Sequence, residues 1–238
     1  MSVRRYILII PAALALSLVT SCARNQRSSD PAELATGKVP PALLRIDQMA
    51  EQVVPAVAEG DWPRVYAYTQ DISNTWNNLR NSETRAHRLP TEYPANMLTA
   101  RLDMALNMLE NTAAQRDSKA VMTSASNVSA AAVSLFEFYN PTVPWDLRRV
   151  EILEKRMMIE LSQQPSDYDT LSAIVNRAAS TWQNVRTVVL PRAGDKAVQA
   201  VNQELDLQKT SVGAHDPNAL SGSIERTVKL IDEIQALY

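Results

Sequence analysis

Glycine is scarce in this chain, with 5 in 238 residues. No GxGxxG, P-loop or nucleophile elbow occurs, so glycine-cradled phosphate chemistry and hydrolase-type nucleophiles have no motif to rest on. A single cysteine excludes an internal disulfide and a cysteine-built zinc site. The only histidines are His87 and His215, both expected in loops, and no HExxH, HxxE or CxxCH spacing exists. That removes the zinc-protease and c-type haem readings. Charge of one sign is also missing: 24 basic residues stand against 26 acidic ones, a net charge of -2. Without a basic block or an aromatic-interleaved basic patch, nucleic acid is not an expected partner.

The carboxylates sit among Lys and Arg, which predicts solvated helix faces. Glu151, Glu154 and Lys155 are the example, with Glu151 and Lys155 spaced as an i,i+4 pair. No catalytic residue, cofactor or metal site emerges, so the expected function is not enzymatic.

What is present favours helices. Hydrophobic residues make up 45% of the chain, enough for a real core, and Ala, Leu, Gln, Glu and Arg are plentiful. The N-terminus is distinct. Residues 1–21 carry Arg4 and Arg5, then an apolar run from Tyr6 to Val19, then small residues. That is the order of an export signal, and its run is too short for a comfortable span of about 20 residues.

The ending Val19-Thr20-Ser21-Cys22 resembles the lipobox of bacterial lipoproteins. The resemblance implies cleavage before Cys22, diacylglycerol on its thiol and acylation of its new amine. It also implies a membrane-anchored, extracytoplasmic protein, facing the periplasm or the cell surface. Two or three acyl chains give stable anchoring, at ~0.8 kcal/mol per buried methylene. The competing readings are an ordinary secretory signal with a chance cysteine, or a short anchor helix. Ala23, where an Asp favours inner-membrane retention in that class, leans toward an outer membrane. Loss of Arg4 and Arg5 leaves 22 basic residues against 26 acidic ones, a net charge of -4, so no electrostatic pull toward anionic lipid is expected. Residues 22–39 are polar and proline-bearing and read as a flexible tether.

The rest of the chain matches itself. GDWPRVYAYTQDISNTWNNLR, ending at Arg80, aligns without a gap on SDYDTLSAIVNRAASTWQNVR, ending at Arg186, at an offset of 106. Arg45-Ile46-Asp47 faces Arg149-Val150-Glu151 at an offset of 104, and Asp117–Tyr139 faces Asp216–Tyr238 at 99. These matches predict an all-α fold of two tandem up-down four-helix repeats, 40–140 and 145–238. NSETRAHRLPTEYP forms a longer loop in the first copy, and YNPTVPW the joint. Side-by-side and end-to-end packing, the latter through a continuous helix near 136–160, both fit the sequence.

The second helix shows Trp62, Val65, Thr69, Ile72, Trp76 and Leu79 on one stripe, matched by Tyr168, Leu171, Val175, Ala178, Trp182 and Val185. Val121, Ser124, Val128, Ala131, Leu135 and Phe138 mark the fourth helix, against Leu220, Ile224, Thr227, Ile231 and Ile234. Leu98, Leu102, Ala105 and Leu109 mark the third, against Val198, Val201 and Leu205. Asp117 and Asp216 are expected N-caps. Pro55 is expected to bend or end the first helix.

Six residues form the candidate binding set: Trp76, Asn78 and Arg80, with Trp182, Asn184 and Arg186. The tryptophans are core anchors, or else the wall of a ligand pocket between helices. The arginines suit helix C-termini, where they interact favourably with the helix dipole. The asparagines point away from the stripe and have no packing reason. Met97, Met104 and Met108 share a face; they read as core filler, with Cu(I) ligation as the alternative. The expected function is a non-enzymatic binding or scaffolding lipoprotein. Its partners are the membrane, through the N-terminal lipid, and another protein, through a groove between helices. The alternative is a small-molecule or metal-binding bundle with a pocket near Trp76 or Trp182.

Overall fold

The computed structural model describes residues 39–85, 95–140, 143–163 and 165–238. Its helices are α1 (Pro41–Ala58), α2 (Trp62–Arg85), α3 (Ala95–Gln115), α4 (Ser118–Tyr139), α5 (Asp146–Leu161), α6 (Tyr168–Gly213) and α7 (Pro217–Gln235). Among the described residues there is no strand, as the composition predicts.

Local chemistry sets the boundaries. Asp117 accepts the Ala120 amide at 3.0 Å, and Asp216 accepts those of Asn218 and Ala219 at 3.1 and 3.0 Å. Both expected N-caps hold. Asp167 does the same for α6 through Asp169 and Thr170. Gly60, at φ 72°, turns the chain between α1 and α2. α1 does not stop at Pro55 but runs on to Ala58. Pro55 has no N–H to offer the Glu51 carbonyl, so one rung of the helix ladder is missing there. Within the 46 residues of α6 the helix breaks at Gly194, with φ 79° and ψ 161°. The break turns α6 into two arms, three residues after Pro191.

Helix α1 packs on α2 and α4, and α3 packs mainly on α4. Helices α5, α6 and α7 pack on one another. Two apolar clusters result, one around Leu43, Ile46, Ile72, Trp76, Leu102 and Phe136, the other around Leu147, Met157, Leu171, Trp182, Leu205 and Ile231. The groups lie side by side. α5 runs antiparallel to α4, with Lys119 on Glu160 at one end and Arg149 on Glu137 at the other. The continuous helix near 136–160 does not form. α4 ends at Tyr139, and the indole of Trp145 donates to the Asn140 carbonyl at 2.7 Å across the reversal.

The expected stripes of α2, α6 and α7 are buried, except that Trp62 and Tyr168 at the starts of α2 and α6 are half-buried. Two expectations fail. Phe138 is 43% exposed, because the inward face of α4 turns to Phe136, whose ring meets Trp145 edge-on at 5.1 Å. Met97, Met104 and Met108 are surface residues rather than core filler, because Leu102, Leu106, Leu109 and Ala113 fill the inward face of α3.

Candidate functional site

The seam between the two helix groups is built by α5. Its residues Leu147, Val150, Leu153 and Met157 enter the second cluster, while Ile152 and Ile159 join the first. A helix apolar on two faces belongs between two layers. Its third face is charged and also buried. Arg148, only 12% exposed, pairs with Asp47 at 3.0 Å, Glu51 at 2.7 Å and Glu151 at 2.6 Å. Lys155 reaches Glu51 and Glu151, both at 2.5 Å. Ser129 donates to Asp47, and Gln235 to Glu151 at 3.2 Å. The solvated face expected for Glu151, Glu154 and Lys155 is therefore wrong for the two glutamates, which are buried, while Lys155 stays half-exposed and the Glu151–Lys155 pair exists. Burial pushes the Glu151 carboxyl up, but the Arg148 guanidinium overrides it and holds it below the usual range. Burial of Asp47 outweighs the same guanidinium and leaves its carboxyl raised.

Beside this network lies a groove of about 650 Å³, bounded by α1, α4, α5 and α7. Its wall is mostly apolar, including Val54, Met122, Ile152, Met158 and Val228, with Glu51, Lys155 and Glu225 at its polar margin. Pro55 also lies in this wall. A second recess, on the other side of the α4–α5 contact, lies between α3, α4, α5 and α6.

The candidate set is not one site. Trp76 and Trp182 are buried in separate clusters. The Trp76 indole donates to Asp103 at 2.7 Å, and the Trp182 indole to Asn202 at 2.7 Å. Both are core anchors with satisfied N–H groups. Arg80 does not cap a helix end, since α2 continues to Arg85; it bridges to Asp103 at 3.0 Å. Arg186 is likewise mid-helix, and exposed. Asn78 and Asn184 are exposed on the outside, away from the seam. Cys22, the signal 1–21 and the tether to residue 38 lie outside the described residues, as does His87.

A shallow polar recess of about 370 Å³ does adjoin Trp76, lined by Ser73, Asn77, Arg80, Asp103 and Glu110 among others. His215 sits at φ 54°, just before the cap Asp216, and stacks on Tyr168 at 4.2 Å. Among the described residues no group of three or more His, Cys, Asp or Glu could hold a metal. No described helix is long and apolar enough to cross a membrane.

One buried group was not foreseen. Glu154 is fully buried in the second cluster, accepting from Gln208 at 2.8 Å, and Gln208 also reaches Thr227 at 2.9 Å. Burial drives its carboxyl up to about 8. The sequence offsets of 104 and 99 set Ala50, Leu109 and Val128 against these three residues, and all are buried. An acid aligned with an alanine in a buried stripe was the available signal.

No protein-family model, no curated protein and no solved structure matches this chain.

Proposed function

We propose that the protein is a lipid-anchored extracytoplasmic lipoprotein whose folded part is a non-enzymatic binding module. The anchor rests on the lipobox-like Val19-Thr20-Ser21-Cys22 and the export signal before it. The folded part is read as a tandem duplication of a four-helix unit. Matched details support that reading. Arg116 and His215, at an offset of 99, both have positive φ immediately before the caps Asp117 and Asp216. Arg116 lies over Trp62 at 6.0 Å, as His215 lies on Tyr168. Trp76 on Asp103 parallels Trp182 on Asn202.

The partner surface in this reading is the apolar groove, and the occupant is an amphipathic helix of another protein. The groove carries the proposal. Its α5 wall runs from Ile152 to Ser162, about 15 Å or three helical turns. An apolar floor with charges of both signs at the rim suits anchors at i, i+3, i+4 and i+7 over charged flanks. The test places a photo-crosslinking residue at Val54 in the full chain in its membrane. The expected result is cross-links mapping to one amphipathic segment of one protein, lost when Val228→Glu is added. Cross-links to lipid alone, or ones indifferent to Val228→Glu, would defeat the reading.

The polar recess beside Trp76 supports a second reading, in which a small polar ligand sits between α2 and α3. Ligand-dependent quenching of tryptophan fluorescence that disappears in Trp76→Phe favours it over the groove.

A further inference from the structure

The recess on the far side of the seam has a volume of about 330 Å³, and its chemistry is lopsided. Arg101 from α3, Arg149 and Arg156 from α5, and Arg177 from α6 all line it, and no carboxylate does. In a chain with more acidic than basic residues, four guanidiniums around one recess with no acid in its wall call for a counter-ion. Arg149 has its own, in Glu137 at 2.5 Å and Asp146 at 2.6 Å. The other three do not. Among the described residues the guanidinium groups of Arg101 and Arg177 make neither an ion pair nor a hydrogen bond, and both residues are exposed.

Arg156 is half-buried, and its hydrogen bond goes to a neutral group, Asn127 Oδ1 at 3.3 Å. Glu160, one turn along α5, is engaged by Lys119 at 2.6 Å. Burial first, then the Arg177 charge, hold the Arg156 guanidinium below its ordinary value, against a smaller opposing pull from Glu160. A guanidinium drawn out of water beside a like charge is an unfavourable arrangement that an anion would relieve. Ser126, whose buried hydroxyl has no hydrogen-bond partner among the described residues, lines both this recess and the groove. Next to the arginines stand Met104 and Met108, 61% and 51% exposed, whose flexible thioethers adapt to an apolar ligand.

We propose that this recess binds a phosphate-bearing amphiphile, with the phosphoryl oxygens held by Arg101, Arg156 and Arg177 and the adjoining hydrocarbon laid on Met104 and Met108. Arginine forks match phosphate and carboxylate oxygens alike. Three forks without an ion-pair partner, arriving from three helices, exceed what the two oxygens of one carboxylate satisfy; a phosphate carries four oxygens, three of them terminal in a monoester. The volume is at the low end for small-ligand sites and fits a head group rather than a whole lipid. The inference goes beyond the partner groove, which lies across the α4–α5 contact, and its test reads different residues.

The full chain in non-ionic detergent is titrated by calorimetry with hexyl phosphate, dihexanoyl phosphatidylglycerol, inorganic phosphate and hexanoate. Saturable binding of either phosphate amphiphile, tighter than inorganic phosphate and hexanoate, is expected. Hexyl phosphate alone identifies a soluble phosphomonoester, and the phosphatidylglycerol a lipid head group. Arg101→Gln and Arg177→Gln, both on exposed positions that leave the core untouched, each weaken binding roughly tenfold or more. Met104→Gln with Met108→Gln weakens the amphiphile and leaves inorganic phosphate unchanged. Absence of saturable binding, equal binding of hexanoate, or indifference to both arginine variants would overturn the proposal.

Discussion

Trp76 and Asp103 are joined by an indole N–H bond of 2.7 Å, and the same carboxylate takes Arg80 at 3.0 Å. Asp103 thus ties α2 to α3. Asp103→Ala leaves the indole unsatisfied and is expected to cost about 1 kcal/mol, the low end for a lost buried partner, because water reaches this carboxylate. Asp103→Asn keeps an acceptor and costs less. Urea unfolding of the two variants checks the order. Trp182→Ala, which empties a core position, costs about 3–5 kcal/mol on the same scale.

Glu154 gives the fold a pH dependence of definite sign. Its folded pKa, about 8, lies above the ordinary 4.5. Between those values the folded chain holds a proton that the unfolded chain releases. Stability is therefore full below pH 4.5 and declines as pH rises toward 8, by about 1.4 kcal/mol per unit within the window. Glu204 adds to the rise in pKa. Melting curves at pH 5, 7 and 9 are expected to fall for the native chain and to fall much less for Glu154→Gln. Parallel curves would refute this.

Arg148 faces three carboxylates in the seam. Removing it as Arg148→Met strands Asp47, Glu51 and Glu151 with only Lys155 nearby, at a cost of about 3–5 kcal/mol. Lys155→Met is milder, since that ammonium is 44% exposed and Arg148 remains. Denaturant midpoints should rank the two in that order.

Gly194 and Gly213 both occur in α6, and substitution separates them. A Cβ at either meets nothing within 4 Å. Gly194 holds φ 79° and ψ 161°, so Gly194→Ala costs about 1–3 kcal/mol through backbone strain alone. Gly213 has no such φ, and Gly213→Ala is expected to stabilise by up to about 1 kcal/mol. Thermal melts of the two variants should move in opposite directions.

Cys22→Ser addresses the anchor. The variant is expected to remain as a full-length precursor without lipid, visible as a mass shift and as failure to incorporate labelled fatty acid. Normal processing and membrane retention would exclude the lipobox reading.

The repeated phrases TWNNLR and TWQNVR mark equivalent buried stripes, and the structure keeps their tryptophans in the cores. It does not keep their arginines at helix ends. α2 runs five residues past Arg80, and α6 passes Arg186 on the way to Gly194. Periodicity shows which face is apolar but not where a helix stops. Asn78 and Asn184 are outward-facing, and nothing in the structure explains their pairing. The seam was illegible for a different reason. Lys155, Glu151 and Arg148 look like a solvated face when α5 is considered alone; Glu151 and Arg148 become buried only when other helices pack around them, and Lys155 stays half-exposed.

Sequence by itself determined the helices, their apolar stripes and their aspartate caps, because each depends on neighbours within a few residues. Tertiary structure alone decided that the two groups lie side by side and that α5 is charged and buried on one face. It also decided that one groove of the seam is apolar while the opposite recess gathers uncompensated arginines. Those properties belong to residues about 20 to 105 positions apart, such as Asp47 with Arg148 and Arg156 with Arg177. Burial and electrostatic field arise from what packs against a side chain, and local periodicity does not encode it.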